Sequence, residues 1–481
     1  MPDTTTPGNK DGGTAQSAGA TYAEQYADFA LSLKYDDIPE DVRSRAKHLI
    51  LDSIGCALAS TRYDFASKIR DGLKSLSSID NASETCSVIN MADTFPLRDA
   101  VTMNAALVHG LDYDDTHMAA VVHASAVSLP PAMTIGECVN ASGQEILTSY
   151  IIAMETAIRI GMAADFGFHH HGYHATGVCG HFSSVLVAGR LFGLNKAQLA
   201  RAQGIMVSTA SAGQEFLNDG AWNKRFHPGW AAVAGITGAH LAKGGFVGTA
   251  LPYEGDLGIF NLHMGEDAKK VDYSVLTDGL GSRWETPKMA IKPYPVCHII
   301  HAIMDAALIL RKENDLKPED IKKITILLPE QSKHLITEPE ELKKAPDSDY
   351  TAKFSAFFVV GACIARGKFG LMELEPEVLK DPEILKLCAL SECVSDPDTR
   401  FPEFFSGGLI IETKDGRTLR HHEPVNRGAG DRQLTDQEII DKYMDNAMTV
   451  TDAAEAKRIR DHVLKLDQMD GKAFAKGLAK K

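Results

Sequence analysis

From Thr21 to about Leu58, apolar positions recur at three- and four-residue spacing, through Tyr26, Phe29, Ala30 and Leu33, as in an amphipathic helix. Residues 35–39 interrupt the pattern. Asp37 can cap a second helix, and Pro39 falls in its first turn, where a missing N–H does no harm; that helix runs through Arg43, Ala46, Ile50 and Ile54. The same periodicity predicts helices over 100–108, 143–160, 181–192 and 196–212, with Gly193-Leu194-Asn195 as a stop and new cap. Residues 230–243 read as a helix rich in Ala and Gly, whose small side chains let backbones approach closely. That places it in the middle of a helical core. No strand pattern precedes residue 285.

After Trp284 the texture changes. Residues 323–328 read as a strand, and 408–420 as two strands around Asp415-Gly416, a hairpin signal. Helices over 297–311 and 351–366 are interleaved with them. The expected fold is mainly α: an all-helical domain over 21–285, a smaller α+β domain over 286–425, and C-terminal helices over 426–481 that pack back on the first domain. Residues 1–20 are rich in Thr, Gly, Ser, Asp and Ala and lack an apolar h-region and arginine, which predicts a disordered tail and no targeting peptide.

Composition narrows the function. Among 481 residues, 64 Asp and Glu outweigh 50 Lys and Arg, a net charge of −14, so neither nucleic acid nor an anionic membrane is expected as the main partner. No apolar run reaches membrane-spanning length without a charge, Gly or Pro. The eight cysteines are scattered with no CxxC pair, as in a reduced, cytoplasmic protein. If the ligand is an anion, positive charge must be gathered locally.

Four stretches could gather it or move protons. The first, from His109 to Ser125, sets Asp112, Asp114, Asp115 and Thr116 ahead of His123; the carboxylates could hold a cation, tune a histidine, or cap turns. The second, from Phe168 to His181, is dense in histidine, but its spacing fits no zinc pattern, which leaves His174 as one member of a wider site. The third is Trp222-Asn-Lys-Arg-Phe-His-Pro-Gly-Trp230. With Pro228 as the first helical residue, Lys224, Arg225 and His227 stand just before a helix N-terminus, which favours an anion. The fourth repeats that design, with Lys292 ahead of a helix opened by Pro295, and Cys297, His298 and His301 following; Cys297 and His301 would lie one helical turn apart. Redox-cofactor and phosphate-loop signatures are absent. Lysines for carboxylates and imidazoles for protons suit hydration or dehydration, decarboxylation, or epimerisation beside a carboxylate.

The motifs HGLDYDDTH, KRFHPGWAA and KPYPVCHIIHAIMDAA, in this order, resemble the MmgE/PrpD family, which includes 2-methylcitrate dehydratase, cis-aconitate decarboxylase and iminodisuccinate epimerase, and the resemblance runs from about residue 22 to about 465. The resemblance implies a helical domain with a smaller α+β lid, a homodimer, and a cleft site that in the decarboxylase branch has neither metal nor organic cofactor. By position it carries over Asp112, Thr116, His123, His174, Lys224 and Lys292. His123, His174, Lys224 and Lys292 would be catalytic, with Asp112, Thr116, Arg225, His227, Cys297 and His298 binding substrate. The chain departs from the mammalian-type decarboxylase in having Cys297 where that enzyme has histidine, and in an interval from Thr116 to His123 that is one residue longer. The reading implied is a cofactor-independent lyase of a small di- or tricarboxylate. An epimerase, a metal-dependent hydrolase built on the histidine segments, and a non-catalytic carboxylate-binding protein of the same fold are the alternatives.

Overall fold

The computed structural model describes residues 19–80, 84–401 and 403–480. The tail expected over 1–20 lies outside them apart from Gly19 and Ala20. Helix Tyr22–Ser32 opens on a capping box between Thr21 and Glu24. Asp37 does not cap the next helix, Glu40–Ser60, because its carboxylate closes its own short turn by accepting from Lys34 N–H at 3.0 Å; Pro39 takes the N-cap position.

Helix Gly143–Ala164 runs through the first core. By length and apolarity it could cross a membrane, yet 94% of its most apolar window is buried inside the protein. Beside it lies Ala124–Cys138, a helix that the sequence pattern hides because Pro130 and Pro131 stand in its interior. Proline has no N–H to offer the carbonyl four residues back. The Val127 carbonyl, orphaned by Pro131, accepts from the Ser184 hydroxyl at 3.3 Å instead. The neighbouring helix, Ala175–Leu191, starts well before residue 181, with His174 at its N-cap.

The Gly-rich helix spans Asn223–Lys243 and buries only one face, with Trp230 and Leu241 exposed on the other. Its glycines act by close approach: a Cβ on Gly235 would come within 2.7 Å of Ser184, and one on Gly229 within 3.0 Å of the Thr102 backbone. Because the helix begins at Asn223, Pro228 lies inside it, so Lys224, Arg225 and His227 belong to its first turns and do not precede it. A proline this near the N-terminus removes a single backbone hydrogen bond, which packing tolerates. Helix Lys196–Met206 stops short of residue 212, where Thr209 turns back with its N–H and hydroxyl both on the Met206 carbonyl.

The smaller unit is a four-stranded mixed sheet in the order Ser391–Ser395, Ile321–Leu328, Gly407–Thr413, Thr418–Glu423; the first pair is parallel and the others antiparallel. The hairpin turns at Gly416, whose φ of +90° suits glycine. Ile324, Ile326, Leu409 and Ile411 pack with His301–Glu313 and Ala356–Arg366 in a second apolar core. The expected helix over 351–366 is broken, because the Ser355 hydroxyl caps a new helix by accepting from Phe358 N–H at 3.0 Å. The helix expected from Cys297 begins only at His301, after a 3-10 turn at His298–Ile300, so Pro295 opens no α-helix and Cys297 and His301 share none. Two very short strands, Cys86–Ser87 and Thr94–Phe95, are not signalled by any alternation.

Helices Asp436–Ala447, Ala453–Leu464 and Gly471–Leu478 contribute Tyr443, Ile459 and Phe474 to the first core. Tyr443 packs on Gly55, where a Cβ would meet its ring at 3.1 Å, and Lys442 forms a buried ion pair with Asp52 at 2.6 Å. The two units meet along the segment after His109. Thr116 and Ala290 exchange backbone hydrogen bonds at 2.9 Å, and Lys353 donates to the Leu111 carbonyl at 3.1 Å.

Candidate active site

Helix Leu97–His109 ends by delivering His109, and the chain then turns sharply through Asp112, which sits at φ +53°. That left-handed conformation, uncommon outside glycine, aims the Asp112 carboxylate inward. Lys224 and Lys292 both donate to its Oδ1, at 2.8 and 2.9 Å, and Lys292 donates again to the Asp112 carbonyl at 2.7 Å. Burial alone would push the Asp112 carboxyl up, but the Lys224 and Lys292 ammonium groups hold it well below the ordinary range.

His123 and His174 occupy the N-cap positions of the adjacent helices Ala124–Cys138 and Ala175–Leu191, without capping through their side chains. Burial, with Lys224 adding to it, holds both imidazoles well below the usual histidine range; at His123 Lys292 adds further and the Asp114 carboxylate opposes. The tautomer of His123 follows from its partners. Its Nδ1 lies 2.9 Å from the Asp115 carbonyl, which can only accept, so Nδ1 carries the hydrogen and Nε2 is left bare, 3.6 Å from Asp112 Oδ1. Thr116 Oγ1 stands 3.3 Å from the same Nδ1. His174 shares a hydrogen between its Nδ1 and that of His227, 3.1 Å apart, and its buried Nε2 has no partner.

A cavity of about 200 Å³ collects Asp112, Thr116, His123, His174, Lys224, Lys292, Cys297 and His298. The smaller unit supplies an apolar wall of Ile299, Leu335, Phe354, Phe401 and Phe405. His298 is fixed by Asn426: the Asn426 oxygen accepts from Phe405 N–H at 3.2 Å, so its amide nitrogen must donate to His298 Nε2, at 2.8 Å. Burial holds His298 down to about 3 and pushes the Cys297 thiol up. A larger cavity of about 420 Å³ lies on the Tyr113 side, but it carries no imidazole among its lining residues, and there Arg427 is matched by Glu438 at 2.7 Å and Lys442 by Asp52.

Two of the sequence candidates are placed outside the cavity lining. Arg225 donates to the Gly110 carbonyl at 2.8 Å and lies over the Phe65 ring, 4.3 Å from its centre. His227 reaches the site only through His174. Conversely, His109 and Asp114 are closer to the chemistry than their sequence setting suggests. Asp114 accepts from His109 Nδ1 at 2.8 Å and lies 3.7 Å from His123 Nδ1, so one carboxylate backs two imidazoles. Burial would raise Asp114, but the histidines hold it down to about 2. His109 Nε2 is buried without a partner, and the ring stacks on His174 at 5.5 Å. The signal available was the five-residue interval between His109 and Asp114, which a turn can close.

Among the described residues, two groups are spaced to hold a cation. Ligand atoms of His109, His123 and His174 lie within 4.8 Å of one another, as do those of Asp112, Asp114 and His123. In the second group Asp112 is already neutralised by two ammonium groups, which opposes a further cation. The histidine-dense stretch does not converge: His171 pairs with Asp267 at the surface, whereas His181 is in the core on the Gly177 carbonyl.

Residues 24–272 match the MmgE/PrpD N-terminal domain, and residues 294–468 match the MmgE/PrpD C-terminal domain. A cis-aconitate decarboxylase of Aspergillus terreus is 28% identical over 92% of this chain and 92% of its own length. The human cis-aconitate decarboxylase is 25% identical over 88% of this chain and 87% of its own. A cis-aconitate decarboxylase-like protein of Aspergillus oryzae, oryM, is 27% identical over 92% and 94%. With both halves of the chain matched in order, this protein belongs to the MmgE/PrpD family.

Proposed function

We propose that this chain is a cofactor-independent lyase that decarboxylates a small unsaturated tricarboxylate of the cis-aconitate type. The observation that carries the reading is the convergence of two ammonium groups, one carboxylate and neutral imidazoles on one cavity with an apolar far wall. Lys224 and Lys292 bind substrate carboxylates, and Thr116 hydrogen-bonds one of them. The apolar wall faces the carboxylate that leaves, where loss of solvation favours release of neutral carbon dioxide. The electron pair of the broken C–C bond shifts through the allylic system to the carbon beside a remaining carboxylate, and a proton is delivered there. His123 supplies it: substrate carboxylates beside its bare Nε2 raise its affinity for a proton taken from solvent. His174 serves the same carbon or holds the adjacent carboxylate.

The relatives named cis-aconitate decarboxylase support this branch over dehydration. The clustering of His109, His123 and His174 within 4.8 Å supports a lyase over an epimerase, which needs proton carriers on opposite faces of one carbon. A homodimer is part of the proposal. Trp222, Phe226 and Trp230 recur every four residues along one exposed side, and Val247 and Leu257 are 73% and 77% exposed, an apolar surface that a second copy would cover. The test is incubation with cis-aconitate, 2-methylcitrate, citrate and iminodisuccinate, followed by NMR in D2O. The expected result is carbon dioxide release and a product carrying one new carbon-bound deuterium, from cis-aconitate alone. Alkene formation from 2-methylcitrate, or deuterium exchange without net reaction, would overturn it.

A further inference from the structure

Away from the cavity, Cys86 opens the short strand Cys86–Ser87 and Cys138 ends the helix Ala124–Cys138. The residues beside them are clamped together: the Glu137 carboxylate accepts from Ser87 N–H at 2.8 Å and from the Ser87 hydroxyl at 2.7 Å. The clamp brings Cys86 and Cys138, the residues next to Ser87 and Glu137, close enough for their thiols to interact. Cys138 is exposed and Cys86 is buried. The interaction between the thiols lowers Cys138, against burial and the nearby Glu84 and Glu137, and together with burial raises Cys86. Cys56, Cys179, Cys297, Cys363 and Cys388 are buried and Cys393 is half-buried, so Cys138 alone is exposed, and it has a second thiol beside it. An exposed thiol with a second, buried thiol beside it is the arrangement of an attacking and a resolving cysteine.

The position in the chain gives the pair a consequence. The segment between the two cysteines carries His109, Asp112, Thr116 and His123, and the helix that ends at Cys138 has His123 at its N-cap. We propose that Cys86 and Cys138 form a reversible disulfide on exposure to a peroxide, tying together the two ends of the segment that lines the cavity. The Cys138 thiolate attacks one oxygen of hydrogen peroxide; an S–O bond forms, the O–O bond breaks, and hydroxide leaves and is protonated to water. The Cys86 sulfur then attacks Cys138; an S–S bond forms, the S–O bond breaks, and the departing hydroxide takes the Cys86 proton as a second water. Two thiols lose two electrons, which the peroxide accepts. A dithiol reverses the change. The bond closes a loop of about 50 residues, which restricts the unfolded chain and leaves the groups in the cavity untouched.

The full chain is treated with a slight excess of hydrogen peroxide, blocked with N-ethylmaleimide and mapped as non-reduced peptides. The expected result is loss of two free thiols, a Cys86–Cys138 cross-linked peptide, and a Tm raised by several degrees that falls back with dithiothreitol. Cys138→Ser is expected to abolish the cross-link. Cys86→Ser is expected to stop at a sulfenic acid on Cys138, trapped with dimedone. Eight free thiols after treatment, a cross-link between any other pair, or sulfinic acid on Cys138 of the unsubstituted protein in place of the disulfide would overturn the proposal.

Discussion

Lys292 holds Asp112 twice, through its side-chain oxygen at 2.9 Å and through its backbone carbonyl at 2.7 Å. Lys224 reaches only the side chain, at 2.8 Å. The two lysines therefore act differently, and of the pair only Lys292 also fixes the strained Asp112 backbone. Lys292→Met is expected to destabilise the protein by about 3 kcal/mol, since it leaves a buried carboxylate half-paired and a carbonyl without its donor. Lys224→Met is expected to cost less, because its ammonium group is nearer solvent. Urea midpoints of the two variants check the order, and equal losses would contradict it.

Catalysis divides differently. Lys224→Ala and His123→Ala are each expected to lower kcat/KM by at least ~100-fold with the fold intact, as removal of a charge-binding or proton-transfer group does. Steady-state kinetics beside circular dichroism decides it, and unchanged kcat/KM in folded variants would remove both residues from the site.

These residue types were legible in the sequence, because lysine, histidine and aspartate packed among apolar residues stand out. Their partnerships were not. Lys224 and Arg225 carry the same signal, yet successive residues on a helix point about 100° apart, so a helix starting at Asn223 turns one toward Asp112 and the other toward Gly110. The fold shows the same division. The strand Ile321–Leu328 and the hairpin at Gly416 follow from local alternation and turn chemistry, whereas helix Ala124–Cys138 depends on a remote hydroxyl, that of Ser184, to satisfy what its prolines leave open.

Asp114 stands behind two imidazoles without lining the cavity, which makes it a positioning residue. Its contact with His109 fixes which nitrogen of that ring carries the hydrogen, and Asp114→Asn lets the tautomer change. The expected result is a kcat lowered by ~10- to 100-fold with KM little changed, together with a displaced pH–rate profile. A loss confined to thermal stability, with both kinetic constants intact, would assign Asp114 a structural role alone.

Metal dependence is open to a direct measurement. Prolonged incubation with a chelator, followed by gel filtration, is expected to leave activity unchanged, because the proposed steps need only ammonium and imidazole groups. Loss of activity restored by one metal would shift the chemistry onto His109, His123 and His174, whose ligand atoms are close enough to hold it.

Acid stability follows from His181, which is fully buried away from the cavity with Nδ1 on the Gly177 carbonyl at 2.8 Å. Burial lowers its pKa to about 4, whereas an unfolded histidine titrates near 6.5. Between those values the unfolded chain binds a proton that the folded chain refuses, so stability is complete above about pH 6.5 and falls as the pH drops toward 4. The loss from this one residue is about 3 kcal/mol over that window. His181→Leu removes the titration at the cost of some packing, so its stability relative to the parent is expected to improve steadily from pH 7 to pH 4.5. Denaturant unfolding at a series of pH values measures the difference. A gap between parent and variant that stays constant with pH would show that His181 takes up its proton inside the fold, against the buried geometry.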